Sequence, residues 1–323
     1  MPCDLDVVAA LQLFLSNINK DARLWIAYSG GVDSHVLLHG LHHLRPNVSL
    51  NAIHVNHQLQ AVASSWAAHC QDVCRQLAIP FYLENVNIQT KPGESQEAVA
   101  RHARYKLLKT YVSPGDYLLT AHHLQDQAET CLLQLLRGAG PKGLAAMPAL
   151  TSFADAAHLA RPLLHVDKRM IVDYARTHQL NWVDDASNED VSYDRNFIRH
   201  QILPLLRQRR PSLDKALARS ARHCAEATAL SNALAEMDFV AIKIDGEQGI
   251  SATQLKKLSA MRQRNVIRYW LQQQGIVLPS EVKMTHILQD IIYSRHQARP
   301  CVTWGNYAIK RVKDHIFLLA ESN

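Results

Sequence analysis

The chain has 323 residues, 47% of them hydrophobic and 20% charged, with a formal net charge of +6. That is the balance of a folded protein long enough for two domains, and it excludes a low-complexity or disordered chain. No stretch approaches the ~18 uninterrupted apolar residues a membrane span needs. The N-terminus MPCDLDVVAALQLFL carries acids where a secretion signal carries a basic cluster, so a cytoplasmic protein without a membrane partner is expected.

Between residues 24 and 121, short β-prone runs (LWIAY, SLNAIHV, PFYLENV, DYLLTAH) alternate with segments of helical period such as Ala67 to Leu77 and Glu97 to Leu108. This alternation predicts an α/β fold with a doubly wound, mainly parallel sheet. Ligands of such sheets bind beyond the carboxyl ends of the strands, so the loops after Tyr28, Val55 and Ala121 are expected to converge on one crevice.

The first loop, Ser29-Gly30-Gly31-Val32-Asp33-Ser34, lies between an apolar strand and the helix of Val36, Leu37, Leu38 and Leu41. Two glycines let the backbone turn sharply and aim N–H groups at one point, and the helix dipole adds positive potential there, so an anion is the expected guest. A Walker-type loop would end in Gly-Lys-Ser or Gly-Lys-Thr, which this chain lacks. Instead, the segment resembles the SGGxDS signature of the PP-loop ATP pyrophosphatases, which cleave ATP to AMP and pyrophosphate. A carboxylate beside phosphate is tolerable when Mg²⁺ lies between them, which makes Asp33 the first metal candidate.

The second loop, His54-Val55-Asn56-His57-Gln58-Leu59, suits a nucleotide-reading segment and equally a polar strand end. The third, AHHLQDQAET, places Asp126, Glu129 and Thr130 on one helical face with His122 at its entrance. Carboxylates gathered there could hold Mg²⁺, orient an ammonium group or accept a proton. The glycine-rich turn RGAGPKGL, Arg137 to Leu144, suits a phosphate contact or a helix terminus. Further on, Trp182 to Asn188 and Asp194 to Arg199 form a polar stretch, a surface loop by default, whose arginines Arg195 and Arg199 have planar forks suited to phosphate.

From Arg195 to Arg222, eight Lys or Arg stand against one acid, Asp214. The run reads as a basic linker into a new domain. The tail begins with a helical pattern that resumes at Leu255, Leu258, Val266, Ile267, Trp270 and Leu271, and again at Val282, Ile287, Leu288, Ile291 and Ile292. It closes with the strand-like runs PCVTWGNYAIK and HIFLLAE. The expected organisation is a domain over 1–210 and a smaller, mainly helical domain with a C-terminal hairpin over 211–323.

Six cysteines (Cys3, Cys70, Cys74, Cys131, Cys224, Cys301) form no CxxC pair in a chain too large to need disulfide staples. Cys70 and Cys74, one helical turn apart, read as packed thiols, since no matching pair completes a zinc site.

In order along the chain, SGGVDS, HVNHQL, ARHARY (Ala100 to Tyr105), AHHLQDQAET, RGAGPKGL, RPLL (Arg161 to Leu164) and WVDDASN with YDRNFIRHQILP resemble the tRNA(Ile)-lysidine synthetase family. The resemblance is strong over about 22–210 and weaker to about 320. It implies a PP-loop fold of the adenine nucleotide alpha hydrolase type, with ATP and Mg²⁺ as cofactors. The implied activity is a C–N ligase reaction that adenylates C2 of the wobble cytidine in a CAU-anticodon isoleucine tRNA, after which the ε-amine of free L-lysine displaces AMP.

Carried over by position, the resemblance implies Ser29, Gly30, Gly31, Val32, Asp33, Ser34 and His54 for the nucleotide, with Asp33 and Asp126 as metal ligands. It implies Asp33, His122, Asp126, Glu129 and Arg195 for catalysis. Arg199, Arg207, Arg209, Arg210, Arg219 and Arg222 are then expected on the RNA, and a homodimer is among the assemblies allowed.

The chain departs from the family pattern in carrying Gln125 where HHxDDxxET has an acid, and Gln60 where HxNHxLR has arginine. It is also expected to end near where the small domain would end, short of the further C-terminal domain of many members, as either a naturally short member or a truncated one. A tRNA thiolase, the nearest rival, normally needs CxxC pairs that are missing here. A tRNA-binding protein without turnover is the other alternative, separated by whether pyrophosphate is released.

Overall fold

The computed structural model describes residues 6–44, 48–56, 63–86, 96–184, 189–244, 249–294 and 299–320. They fall into two compact units, 1–224 and 225–323. In the first, the chain runs α1 (Val7–Ser16), β1 (Leu24–Ala27), α2 (Val32–Leu44), β2 (Leu50–Asn56), α3 (Ala63–Gln76), β3 (Phe81–Asn85), α4 (Gln96–Leu108), β4 (Tyr117–Leu119), α5 (Leu124–Leu136), α6 (Pro141–Leu144), β5 (Leu150–Ser152), β6 (His158–Ala160) and α7 (Lys168–Thr177). Then come α8 (Asp194–Phe197), a π-helical turn (Ile198–Ile202), α9 (Leu203–Arg209) and α10 (Leu213–Ile242).

The strand order is β3-β2-β1-β4-β6-β5, parallel throughout except for β5 at the edge, which pairs antiparallel with β6. Side chains alternate between two buried faces. Leu24, Ile26, Ala52 and Leu119 enter a core shared with α1, α2 and α7, while Trp25, Ile53, Leu118 and Leu159 enter a second core beneath α4. Burial on both faces is why these strands read as continuous apolar runs, and it bears out the doubly wound parallel sheet. The short β5 and β6, three residues each, escaped the sequence pattern because a run of that length carries no period.

The strand order reverses between β1 and β4, so the loops leaving these two strands open a crevice at the topological switch point. No helix among the described residues is long and apolar enough to cross a membrane.

The expected linker 195–222 is helical instead, occupied by α8, the π turn, α9 and the start of α10. The boundary between compact units falls at Cys224, inside α10, rather than at 210. The second unit contains β7 (Gly249–Ser251), α11 (Ala252–Lys256), α12 (Ala260–Gln273), α13 (Glu281–His286), a π turn (Ile287–Ile291), β8 (Cys301–Trp304), β9 (Tyr307–Val312) and β10 (His315–Ala320). Its sheet has four antiparallel strands, β7-β10-β9-β8, over a core that includes Leu255, Val266, Trp270, Ile291 and Ile309. The expected hairpin is thus part of a larger sheet: PCVTWGNYAIK itself folds back at Gly305 (φ +52°) into β8 and β9. Val282, placed on the apolar face by its spacing, is exposed.

Candidate active site

The glycine loop turns from β1 into α2 through two serines that fasten it. Ser34 Oγ accepts from the Ser29 backbone N–H at 3.2 Å, lies 3.0 Å from Ser29 Oγ and donates to the Gly31 carbonyl at 3.0 Å. Gly30 takes a left-handed φ of +83°, and a Cβ there would come within 2.8 Å of Cys70 Sγ. Gly31 needs neither freedom, so only the first of the two glycines is dictated by the turn. Val183 N–H donates to the Gly30 carbonyl at 3.0 Å, so the segment after α7 returns over the loop. The first-turn amides of α2 have no preceding helical carbonyl to reach, which is the general condition for an anion site at a helix N-terminus.

Across the crevice, α5 starts behind His123, and Asp126 Oδ2 accepts the His123 backbone N–H at 3.0 Å. His123 is buried, with Nε2 3.4 Å from Asp126 Oδ2 and 3.8 Å from Asp33 Oδ2, so it stands between the two loops. Glu129 is 1% exposed. It accepts from Arg199 Nε at 2.7 Å, Arg199 Nη2 at 2.9 Å and Arg195 Nε at 2.9 Å. The Nη2 atoms of both arginines also reach Asp126 Oδ1, each at 3.1 Å. A buried carboxylate is tolerated when paired and hydrogen-bonded, and these two acids share two guanidinium forks. Burial works to raise the Asp126 pKa, but His123, Arg195, His122 and the amide outweigh it and hold the carboxyl below its ordinary range. Burial pushes the His122 imidazole down to about 3, so it is neutral at physiological pH; its Nδ1 lies 2.8 Å from Thr120 Oγ1.

Lys168 was not singled out by its sequence context. It opens α7, and its Nζ lies 2.5 Å from Asp33 Oδ1. Its own backbone N–H donates to Gln125 Oε1 at 2.9 Å.

The chain matches the PP-loop domain family over residues 4–206 and the TilS substrate binding domain family over residues 250–317. It is 42% identical over 307 residues to the tRNA(Ile)-lysidine synthase of Coxiella burnetii, covering 94% of this chain and 68% of that protein. The same enzyme of Histophilus somni is 39% identical, with 97% and 73% covered. The chain belongs to the tRNA(Ile)-lysidine synthase family. Against the Nitrosomonas europaea member it is 46% identical over 280 residues, covering 85% of this chain and 60% of that one. Among solved structures, the U34-tRNA thiolase NcsA from Methanococcus maripaludis aligns with a TM-score of 0.58 at 16% identity, covering 68% of this chain and 78% of that one, which shows a shared fold.

Within this family member, several expected site residues lie elsewhere than the sequence suggested. His54 is buried in β2, its Nδ1 2.9 Å from the Tyr28 carbonyl and 3.6 Å from Cys70 Sγ. His57, Gln58, Leu59 and Gln60 lie outside the described residues, as do Asp185, Ala186, Ser187 and Asn188. Cys70 and Cys74 are packed thiols, and burial pushes both up to about 12. The turn RGAGPKGL caps the far end of α5, whose 13 residues at about 1.5 Å each put it roughly 20 Å from the His123 end.

Asp126, expected as a metal ligand, already has both oxygens engaged by arginines and His123. Arg199, expected on RNA, is bound to the acids. Arg207 forms a bidentate pair with Asp214, Nη2 to Oδ1 at 3.0 Å and Nε to Oδ2 at 3.0 Å, whereas Arg209, Arg210, Arg219 and Arg222 are exposed.

Proposed function

We propose that this chain joins free L-lysine to C2 of the wobble cytidine of CAU-anticodon tRNA(Ile), through an adenylated tRNA, with release of pyrophosphate and AMP. The observation that carries this reading is His123, whose Nε2 sits 3.8 Å from Asp33 and 3.4 Å from Asp126 and so makes one site of the nucleotide loop and the acid–arginine cluster. Family membership supports the reaction, and the geometry is compatible with the following division of its parts.

The loop Ser29 to Ser34 suits the pyrophosphate end of ATP, because the left-handed turn at Gly30 leads into the start of α2, where a helix N-terminus favours an anion. Asp33 is the metal ligand of this reading. Among the described residues no group of three or more His, Cys, Asp or Glu forms a metal cage. A single carboxylate fits Mg²⁺, which binds through one or two carboxylates plus phosphate oxygens and keeps its remaining waters. Bound there, the ion neutralises charge on the phosphates.

His122, neutral and tied to Thr120, serves as a hydrogen-bonding group rather than as a base, since an efficient base has a pKa near the working pH. Asp126 and Glu129 offer negative charge to the ammonium end of lysine, and Arg195 and Arg199, paired with them, balance that charge beside the polyanionic substrates. The protein's contribution is positioning and charge neutralisation around a good leaving group.

The deciding experiment supplies ATP, labelled lysine and a panel of tRNA transcripts. Label is expected in the CAU-anticodon isoleucine tRNA alone, with pyrophosphate release dependent on that tRNA. Label in the methionine tRNAs, or tRNA binding without any pyrophosphate release, would overturn the reading. Asp33→Ala is expected to abolish pyrophosphate release while tRNA binding persists, and wild-type turnover in that variant removes Asp33 as the metal ligand.

A further inference from the structure

Lys168 and Asp33 form an ion pair across the mouth of the crevice, with side chains 34% and 30% exposed, so neither is sealed in the core. The other cations nearest the acids, Arg195 and Arg199, are held on Asp126 and Glu129. Among the described residues, Lys168 is therefore the cation paired with the glycine loop itself. Its partner is the carboxylate assigned above to Mg²⁺. One oxygen of that carboxylate is held by the ammonium at 2.5 Å, so a metal arriving with phosphate competes with Lys168 for the charge of Asp33, and in a site that takes a nucleotide the anion that can receive the ammonium is phosphate.

The placement of Lys168 is fixed from behind. Its backbone N–H donates to Gln125 Oε1 at 2.9 Å, and Gln125 Nε2 donates to Asp214 Oδ2 at 3.4 Å. Asp214 is buried and locked by the Arg207 fork. An amide is the side chain that can accept from the first partner and donate to the second. An acid at position 125, as in the family pattern, would accept from Lys168 but oppose the Asp214 carboxylate.

We propose that Lys168 is the phosphate-binding cation of this site, exchanging Asp33 for the pyrophosphate end of the nucleotide, and that Gln125 is the residue that positions it. The proposal rests on the ATP reading of the glycine loop. It also explains the departure at Gln125: the amide answers Asp214.

The test is calorimetric titration of the full chain with inorganic pyrophosphate and, separately, with AMP, both with Mg²⁺. Lys168→Ala is expected to weaken pyrophosphate binding roughly tenfold or more, the size of a hydrogen bond to a charged group, and AMP binding less than twofold. Lys168→Arg should recover most of the loss. Gln125→Glu should show a smaller loss of the same pattern, reversed by adding Asp214→Asn, which restores a donor opposite the acid. Equal weakening of both ligands in Lys168→Ala, or no weakening of either, overturns the role of Lys168 alone. A wild-type chain that binds AMP but not pyrophosphate overturns this inference and the reading of the loop together.

Discussion

Arg199 closes on Glu129 with both prongs of its guanidinium, Nε to Oε1 at 2.7 Å and Nη2 to Oε2 at 2.9 Å. Arg195, four residues earlier, takes the same carboxylate from the side, at 2.9 Å from Oε2. Arg199 lies in the π turn Ile198–Ile202, a local widening of the helix that often re-aims side chains at functional sites. Such a buried pair contributes little net stability over an apolar filling, but removing one member strands the other's charge at about 3–5 kcal/mol. Glu129→Gln, which leaves two guanidiniums to share the Asp126 carboxylate, is therefore expected to cost stability toward the lower end of that scale in urea unfolding. Arg199→Ala should cost less, since Arg195 still answers Glu129, and the double variant should fall short of the sum. Strict additivity would show that the three groups do not act as a unit.

Gly30 and Gly31 are predicted to respond oppositely to alanine. Gly30→Ala places a Cβ 2.8 Å from Cys70 Sγ on a φ of +83°, while at Gly31 the nearest contact, Ser29 Oγ, is an ordinary 3.5 Å away. A left-handed non-glycine residue costs about 1–3 kcal/mol before any clash is counted. Gly30→Ala should lower the melting temperature and weaken ATP binding, and Gly31→Ala should leave stability nearly unchanged. Adding Cys70→Ala to Gly30→Ala should recover part of the loss, because it relieves the contact but not the dihedral. Equal effects at both glycines would refute the assignment.

What the sequence made legible was chemistry carried by neighbours along the chain. SGGVDS and AHHLQDQAET each hold strand end, turn and helix start within about ten residues, so the loops could be read and the crevice at the ends of β1 and β4 placed. Partnerships across the chain were hidden. Lys168 is 135 positions from Asp33, and in the string HVDKRM it reads as an ordinary helix start behind an Asp cap. Arg195 and Arg199 were recognisable as anion binders, but that their first partners are Glu129 and Asp126, 66 to 73 positions away, follows only from the fold. The contacts of His54 were hidden for the same reason: its neighbours Tyr28 and Cys70 are brought to it by the fold.

His39 is predicted to make the first unit acid-sensitive. It is buried on α2, stacked 4.0 Å from His43, with Nδ1 3.0 Å from the Tyr174 hydroxyl, and it is also faced by His35, His42 and His178. Burial first, and then the neighbouring imidazoles, push its pKa down to about 4. The unfolded chain, with the ordinary value near 6.5, binds the proton more readily. Stability from this group is therefore complete above pH 6.5 and declines as pH falls toward 4. Between pH 7 and 5 the loss, reduced by solvent screening, should be on the order of 1 kcal/mol. Urea unfolding at both values should show His39→Gln flattening the decline by that amount. An unchanged decline would mean that His39 is not the proton acceptor.

The arginines of α9 and α10 are expected to separate by what they already touch. Arg209 and Arg210 close α9, exposed, whereas Arg207 is held by Asp214, which is 12% exposed at its side chain and also contacts Gln125. Each phosphate contact contributes about 0.7–0.9 to the slope of log binding constant against log salt. Arg209→Ala with Arg210→Ala should thus flatten the slope for tRNA by about 1–2 without lowering the melting temperature. Arg207→Ala should do the reverse, lowering stability by freeing a buried carboxylate while leaving the slope close to wild type. Filter binding between 50 and 200 mM salt distinguishes the two. A full unit lost in Arg207→Ala would mean that this arginine leaves Asp214 for the RNA, and would carry the interface inward toward Gln125.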